Sequence, residues 1–457
     1  MTTIMKFGGT SVADVAALRN VATIVRSFLN SRPVVVVSAM AGVTDSLVTS
    51  TIIASQGQVS EAIKSLETTF ARHKSTAQEG LSAALAEAFA KEVDRAANSI
   101  NGLLKLSAEY PSLRPELHDS IVSCGEILSS TLLAAVLNEV GVTSQQIDAR
   151  ECIITSDDYT CALPLMPETF ARARANILPV LDHGAVPVLG GFIGATSDGR
   201  TTTLGRGGSD YAAAIIGAAL RVDEIQIWTD VSGVLTADPR VVPEAHTVER
   251  LSYAEAAELA YFGAKVLHPK TIQPAIEDSI PVRICNSRAP GESDTLVCAQ
   301  TITSPRTIKA IAHKSGVTTV QVTSARMLGA YGFLRALFEV FDRHRTVVDV
   351  VTTSEVSVSL SLDDASSLPS IIAELETLGT VRVDERQAII CVVGEGLKET
   401  SGIAAKLFNA ISDIPVSLIS QGASSINFTF AVAEERVHEA VGRLHQEFFK
   451  EKAVSAV

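Results

Sequence analysis

The sequence predicts an α/β fold, with an open and mainly parallel sheet between helices, followed by two smaller α+β units. Continuous apolar runs at residues 34–38, 186–189 and 225–229 are typical of strands that are covered on both faces. Between such runs lie helical stretches such as residues 60–102, which are rich in Ala, Glu, Leu and Lys. A buried parallel or mixed sheet between helices is the simplest architecture that accounts for this alternation.

An internal repeat with an offset of 70 residues occupies the last third of the chain. The aligned pairs are Gly332 with Gly402, Phe338 with Phe408, Ser354 with Ser424, Val356 with Ile426, Val358 with Phe428 and Leu360 with Phe430. Each copy predicts a glycine, an amphipathic helix and two strands, and residues 355–362 alternate as in a strand with one buried face. Such units suggest ligand sensing or subunit pairing, although a purely structural extension is the alternative.

The composition excludes several classes of function. The formal net charge of -13 disfavours nucleic acid and anionic membranes, which both reward basic surfaces. The six cysteines are scattered without C-x-x-C spacing, so we expect reduced thiols rather than disulfides or zinc, and no metal site of the protein's own. No basic leader precedes Lys6, and no long apolar stretch occurs. We therefore expect a soluble, cytoplasmic protein.

A glycine turn follows the first predicted strand, residues 3–5. The segment 6–11 reads Lys-Phe-Gly-Gly-Thr-Ser, and its glycines would let backbone N–H groups approach a phosphate. Lys6 could offset charge on a transferring phosphoryl group. A glycine turn without any ligand is an equally good interpretation of this segment alone. The chain contains no G-x-x-x-x-G-K-S/T motif, which excludes a P-loop enzyme.

A second glycine-rich loop, residues 199–211, leads into an Ala-rich helix predicted at 212–220. Such a loop opening onto a helix N-terminus is a favourable site for an anion. Arg206 offers a planar fork for a carboxylate or phosphate. Asp210 would lie in the first helical turn, either as a capping carboxylate or as a group that positions Lys6 or a metal-bound phosphate.

Two further elements follow in the chain. Residues 228–234 come directly after a predicted strand, and ligands of open α/β sheets bind at the carboxyl ends of strands. Residues 237–240 then read Ala-Asp-Pro-Arg, and residues 261–269 contain Lys265. Lys265 is a candidate nucleotide contact, although by itself it could equally be a surface lysine.

In combination, the motifs resemble those of the aspartate kinases of the amino-acid kinase family. They are KFGGTSV, SAMAGVT, SCGE, GGFIG, TTTLGRGGSDY, WTDVSGV, DPR and FGAKVLHP, within residues 6–269. Residues 327–334, 347–363 and 420–432 are similar to the paired, ferredoxin-like ACT domains of lysine-sensitive members. The resemblance implies an amino-acid kinase domain at 1–300 and ACT domains at 315–387 and 388–457. We expect a strand from about residue 305 to 314 to complete the second ACT domain.

The resemblance also implies roles for individual residues. Lys6 and Asp210 match catalytic positions, and the positions that match aspartate-binding residues are Thr44, Glu126, Phe192, Arg206, Gly208 and Ser209. The positions that match ATP contacts are Lys6, Gly8, Gly9, Ser38, Thr229, Asp230, Arg240 and Lys265. The positions that match effector-binding residues are Met327, Phe333, Val348, Asp349, Ser354 and Glu355.

The implied reaction is phosphoryl transfer from ATP, carried with Mg²⁺, to the β-carboxylate of L-aspartate. That carboxylate is already ionised at neutral pH, so positioning and charge neutralisation suffice without a general base. We expect a homodimer formed through the ACT domains and feedback by L-lysine, with threonine as the rival effector and S-adenosylmethionine as a candidate co-effector. A glutamate or acetylglutamate kinase and an inactive amino-acid sensor are the alternative functions. Because the sequence has no G-x-G-x-x-G motif and ends after the second ACT unit, we expect no fused homoserine dehydrogenase.

Overall fold

A computed structural model describes residues 1–263, 267, 269–299, 307–329, 331–422 and 424–450. The chain forms two compact units. The first comprises Met1–Val234, Glu249–Tyr253 and Leu267–Gln300, and the second comprises Leu235–Val248, Ala254–Val266 and Thr301–Val457.

The first unit contains an eight-stranded sheet and a small three-stranded sheet. Its strands are β1 (Thr3–Phe7), β2 (Pro33–Val37), β3 (Ser144–Ile147), β4 (Ile154–Thr155), β5 (Val186–Gly190), β6 (Ile193–Thr196), β7 (Thr201–Thr203), β8 (Glu224–Thr229), β9 (Arg250–Ser252), β10 (Val282–Asn286) and β11 (Thr295–Cys298). The large sheet has the order β3-β5-β2-β1-β8-β10-β11-β9, and its first six strands are parallel. The predicted open and mainly parallel sheet is confirmed.

Helices cover both faces of this sheet. The helices of the first unit are α1 (Val15–Ser27), α2 (Val43–Ser55), α3 (Val59–Ser65), α4 (Glu67–Gly80), α5 (Ala83–Glu109), α6 (Arg114–Val122), α7 (Cys124–Glu139), α8 (Met166–Asp182), α9 (Gly208–Leu220) and α11 (Gln273–Glu277), whereas α10 (Tyr253–Tyr261) belongs from Ala254 onward to the second unit. The side chains of Met5 and Phe7 join the hydrophobic core beneath α1, α5 and α7, while α9 packs against β1 and β8. Because both faces are covered, every residue of β1 and β2 is buried, which explains their apolar runs.

The helical stretch predicted at 60–102 is divided into three helices, α3, α4 and α5. Its end is also later than expected, at Glu109. One further stretch, Pro111–Glu139, is long and apolar enough to cross a membrane by length and composition. However, 72% of its most apolar window is buried inside the protein, as in the core helix of a globular fold.

The second unit contains one six-stranded antiparallel sheet in the order β13-β14-β12-β15-β17-β16. Its strands are β12 (Ile308–Thr323), β13 (Val351–Thr353), β14 (Ser357–Leu362), β15 (Thr380–Gly394), β16 (Val416–Ser420) and β17 (Asn427–Ala433). Its remaining helices are α12 (Phe333–Arg343), α13 (Leu368–Leu375), α14 (Ile403–Ala410) and α15 (Val437–Phe449). Each copy of the repeat has its own hydrophobic cluster.

The predicted repeat is visible in the backbone of both copies. Gly332 and Gly402 precede α12 and α14 with φ angles of 83° and 78°, a left-handed conformation that favours glycine. The strand predicted at 355–362 begins later, at Ser357. The reason is a turn in which the N–H groups of Ser354 and Ser357 bond to the Ser357 carbonyl and the Ser354 hydroxyl, respectively.

Candidate active site

The first unit gathers the predicted catalytic residues at the carboxyl ends of its central parallel strands. Lys6 lies on β1, Ser38 directly follows β2, and Thr229 is the last residue of β8. The N–H group of Ser38 donates to the Phe7 carbonyl, and that of Gly8 donates to the Trp228 carbonyl. These hydrogen bonds hold the ends of the three neighbouring strands together, at the edge where open α/β sheets bind ligands.

Lys6 and Asp210 form an ion pair across the ligand-binding edge. The Lys6 Nζ lies 2.7 Å from Oδ1 of Asp210, and only 9% of Lys6 is exposed. Asp210 is in the first turn of α9, whose small buried side chains let the helix lie close to β1. The pair therefore holds an ammonium group at the end of the sheet, where it can stabilise a transferring anion.

Close packing at two glycines leaves no room for side chains around the second loop. A Cβ atom at Gly191 would lie 2.7 Å from the Ser209 Cβ, and one at Gly208 would lie 2.7 Å from the Phe192 Cδ2. Phe192 itself has a φ of +67°, which is uncommon for an aromatic residue and is often retained at functional sites. Because Gly191 lies against Ser209 and Gly208 lies against Phe192, these backbone segments pack directly on one another, and Phe192, Gly208 and Ser209 lie on one surface.

Glu126 is a buried carboxylate in the first turn of α7, with 2% of its surface exposed. Its Oε1 accepts a hydrogen bond of 3.1 Å from the Ala39 N–H, while Oε2 has no partner among the described residues. Burial raises the pKa of Glu126 to about 8, against the opposing effect of the Ala39 hydrogen bond. A buried oxygen without a partner is costly, so Oε2 is free to accept a hydrogen bond from a ligand donor.

Arg206 contrasts with Glu126 because it is exposed. It lies between Gly205 and Gly207, which have φ angles of 75° and 73°, and it makes no ion pair with any residue that the structure describes. Its guanidinium is therefore available to an anionic ligand. Thr44 lies in the first turn of α2 and is partly buried.

The predicted nucleotide contacts are divided between the two units. Thr229 and Asp230 adjoin each other in the first unit. The Thr229 hydroxyl donates a hydrogen bond to the Asp230 carboxylate, and the Arg288 guanidinium lies 3.8 Å from the same carboxylate. Arg240 belongs to the second unit and pairs with Asp238 at 2.6 Å, and this hydrogen bonding lowers the pKa of Asp238. Lys265 lies outside the described residues.

The predicted effector residues lie around the first copy of the repeat. Met327, Phe333 and Val348 pack against its hydrophobic cluster. Ser354 and Glu355 are exposed in the turn before β14, and Glu355 makes no ion pair within the described part of the chain. These positions place apolar and acidic groups on one copy of the repeat.

Asp349 has cationic and phenolic neighbours that the sequence reasoning missed. Its side chain is 3% exposed, lies 4.0 Å from the Lys314 Nζ and accepts a hydrogen bond from the Tyr261 hydroxyl. Burial, followed by the neighbouring Asp363, raises the pKa of Asp349 above its usual range. No local signal could reveal Lys314, because it lies on β12 and reaches Asp349 only in the folded sheet.

Metal and cysteine predictions can be compared with the described residues. Within them, no group of three or more His, Cys, Asp or Glu side chains could hold a metal ion. All six cysteines are free, and only Cys161 is exposed. The thiols therefore form no disulfide in this structure.

Comparison with known proteins gives consistent matches over nearly the whole chain. Residues 1–286 match the amino acid kinase family, and residues 390–448 match an ACT domain. The chain is 38% identical to the lysine-sensitive aspartokinase 3 of Escherichia coli, over 98% of this chain and 99% of that protein. Two solved structures of E. coli aspartokinase III cover 98% of this chain and 100% of theirs with a TM-score of 0.82. One contains aspartate and ADP at 37% identity, and the other contains lysine and aspartate at 38% identity.

Proposed function

Because this chain belongs to the amino acid kinase family and, within it, to the aspartokinases, we propose that it transfers the γ-phosphoryl group of ATP to the β-carboxylate of L-aspartate. The observation that carries this proposal is the Lys6–Asp210 ion pair at the carboxyl ends of β1 and β8, in the same unit as the partnerless Glu126 oxygen. The Lys6 ammonium can stabilise a phosphoryl group in transfer, and the Glu126 oxygen can accept a hydrogen bond from an ammonium.

In this proposal the protein acts by positioning and charge neutralisation. The β-carboxylate of aspartate is ionised at neutral pH, so no side chain has to remove a proton from the nucleophile. Lys6 offsets the charge that spreads over the phosphoryl oxygens, and Asp210 keeps the Lys6 ammonium in place. Gly8, Gly9, Ser38, Thr229, Asp230, Arg240 and Lys265 would contact ATP, and Mg²⁺ would arrive bound to the nucleotide.

The amino-acid substrate is held by complementary charges. Glu126 would accept hydrogen bonds from the aspartate ammonium, and Arg206 would bind the α-carboxylate through its planar fork. Thr44, Phe192, Gly208 and Ser209 would form the remaining walls. Glutamate is the closest competitor, because it carries the same groups on a chain longer by one methylene.

The aspartate KM is expected to depend on pH through Glu126. Its pKa of about 8 means that the free enzyme is largely protonated there at neutral pH, whereas an ammonium ligand needs the carboxylate. The affinity is therefore half its maximum near pH 8, approaches its maximum about one pH unit higher and declines as the pH falls, with the aspartate KM rising by up to about tenfold per pH unit. Steady-state kinetics between about pH 6 and about pH 9 measure this, with the ATP KM as the internal control. An aspartate KM that stays constant over this range would contradict the assignment.

The reaction is tested by trapping the acyl phosphate. The chain is incubated with Mg-ATP and either aspartate or glutamate, in the presence of hydroxylamine, and the hydroxamate is quantified. We expect product from aspartate and much less from glutamate. Product from glutamate alone would favour the glutamate kinase alternative, and no product from either would favour the inactive sensor.

We further propose that L-lysine inhibits the enzyme at the first copy of the repeat. The support is the acidic Asp349, which follows Val348 in the chain, and the packing of Met327, Phe333 and Val348 against the hydrophobic cluster of the same copy, together with similarity to a lysine-sensitive relative. The Lys314 ammonium, which pairs with Asp363, lies 4.0 Å from Asp349, so a cationic group already approaches this carboxylate. The product of the reaction would supply lysine, threonine and methionine biosynthesis, so an end product is a reasonable regulator.

Asp349→Asn is expected to raise the lysine concentration for half inhibition by about tenfold or more, because it removes the charge that pairs with an ammonium. The uninhibited kcat should not change. Asp364→Asn is the matched control, since Asp364 is exposed nearby and only caps Ser366. Unaltered inhibition in Asp349→Asn would reject this site, and inhibition by threonine alone would reject lysine as the effector.

The ACT units also support a proposed homodimer. Large apolar side chains are exposed on the first copy, including Tyr331 at 103%, Val347 at 73% and Leu328 at 63%. Exposed apolar surface of this kind is typical of protein interfaces. Light scattering that found only monomers at micromolar concentration would contradict the dimer.

We retain ACT boundaries at 315–387 and 388–457 as a proposal. They are supported by the pairing of Ile308–Lys314 in β12 with Ile389–Gly394 in β15, which adds the early part of β12 to the second copy. A cytoplasmic location is likewise a proposal, and the six free cysteines support a reducing compartment. Fractionation of the producing cells would test the location.

A further inference from the structure

Asp119, in α6, is a charged residue with no exposed surface and no assigned role. Its Oδ2 accepts hydrogen bonds from the N–H groups of Thr203 (2.8 Å) and Thr160 (2.9 Å). Its Oδ1 accepts from the Thr203 hydroxyl at 2.9 Å, and the His118 Nδ1 lies 3.3 Å away. A buried carboxylate with this many donors holds its neighbours firmly in place, because a hydrogen bond to a charged acceptor is stronger than one to a neutral acceptor.

The residues that Asp119 holds lead directly to the proposed aspartate site. Thr203 ends β7, three residues before Arg206, and the next N–H group, that of Leu204, donates to the Phe192 carbonyl at 2.9 Å. Asp119 therefore fixes the short segment on which the position of Arg206 depends, and through it the wall that contains Phe192.

Thr160 adds a second contact beneath the same loop. It has a φ of +71°, a conformation that costs energy for a β-branched residue and persists only where its surroundings hold it. A Cβ at Gly205 would lie 3.3 Å from the Thr160 carbonyl oxygen and 3.2 Å from the Cys161 Sγ. The hydrogen bond from the Thr160 N–H to Asp119 thus fixes the segment that packs against Gly205, the residue before Arg206.

Asp119 is also linked rigidly to Glu126. The Ser123 N–H donates to the Asp119 carbonyl, and the Ile127 N–H donates to the Ser123 carbonyl, which joins the end of α6 to the start of α7. One short helical segment therefore carries Glu126 and anchors the strand that leads to Arg206. In the proposed function, these two residues bind the ammonium and the α-carboxylate of the same substrate.

We propose that Asp119 is a positioning residue that fixes Glu126 and Arg206, so that the ammonium and the α-carboxylate of the substrate are held at a set distance from Lys6, and that this distance favours the shorter side chain of aspartate over that of glutamate. This inference rests on the proposed function of the site. Asp119 does not touch the reacting atoms, so loosening its bonds should affect substrate binding and selection before it affects phosphoryl transfer. ATP binding, which uses other residues, should not change.

Two variants test the hydrogen bond between Thr203 and Asp119, one at the donor and one at the acceptor. Thr203→Val removes one hydroxyl donor at nearly constant volume, and Asp119→Asn replaces an acceptor oxygen by an amide that faces donors. Both are expected to raise the aspartate KM about tenfold and to lower the aspartate-to-glutamate ratio of kcat/KM about tenfold, with an unchanged ATP KM. Thr203→Ser keeps the hydroxyl and should restore both values.

A purely structural role is distinguished by a matched control. Thr169 is equally buried, and its hydroxyl bonds to both backbone groups of Ile154, which ties α8 to β4. Thr169→Val should lower the Tm without changing the aspartate KM. The inference is overturned if folded Thr203→Val keeps the wild-type KM and selectivity within about twofold. If the wild-type enzyme itself fails to phosphorylate aspartate, the proposed function fails first.

Discussion

Lys6→Met is expected to lower kcat by about a thousandfold, with a much smaller effect on either KM. The Lys6 ammonium is nearly buried and lies 2.7 Å from Asp210, so it is fixed before the substrates bind. A preorganised charge acts mainly on the phosphoryl group in transfer, where negative charge has spread, and less on the bound ground state. Methionine keeps the length and apolar volume of the side chain but cannot offset that charge. Single-turnover and steady-state kinetics at saturating substrates measure the effect.

Because Lys6→Met also removes a buried ion pair, it could lower kcat by destabilising the fold. A second variant controls for this effect. Lys309 lies 2.8 Å from Glu255 in the second unit, with 6% of the Lys309 side chain exposed. Lys309→Met breaks a comparably buried pair without touching the proposed active site. It should lower the Tm and leave kcat near that of the wild type. An equal fall of kcat in both variants would mean that Lys6 has only a structural role.

Arg206→Ala is expected to raise the aspartate KM on the order of a hundredfold and to leave the ATP KM unchanged. A bidentate pair with the α-carboxylate would contribute about 2 to 3 kcal/mol of binding. Arg206 is exposed and has no ion-pair partner in the described part of the chain, so its removal should hardly change the Tm. Arg206→Lys should recover only part of the affinity, because an ammonium lacks the planar fork.

Arg200 provides the comparison for Arg206. It lies on the same loop and is also exposed, but it pairs with Asp198 at 2.9 Å. Arg200→Ala should therefore leave the aspartate KM close to that of the wild type. An unchanged KM in Arg206→Ala, or an equal increase in both variants, would remove Arg206 from the aspartate site.

The main features of the fold could be predicted from the sequence because they depend on local pattern. The apolar run at 34–38 indicated a strand covered on both faces, and the spacing of Gly332 and Gly402 revealed two copies of one unit. The later start of β14 could not be predicted, since alternation continues through Glu355 while hydrogen bonds of the Ser354 side chain turn the backbone. The period of a pattern reports a preference, and a local side-chain bond can override it.

The candidate site was predictable to a different degree. The motifs placed Lys6 and Asp210 in related roles, and the structure brings their side chains to 2.7 Å across more than 200 residues of sequence. The burial of Glu126 and the anchor formed by Asp119 depend on which helices cover which strands, and no local pattern contains that information. The same holds for Lys314, which meets Asp349 only through the pairing of β12 and β14.

Mass spectrometry of the hydroxylamine-trapped product tests the account most directly, because it reports the reaction and the site together. Wild-type enzyme with Mg-ATP and aspartate should give the β-hydroxamate of aspartate, and Lys6→Met should give about a thousandth of that rate while Lys309→Met gives nearly all of it. An α-hydroxamate, no hydroxamate from the wild type, or undiminished β-hydroxamate from Lys6→Met would contradict it.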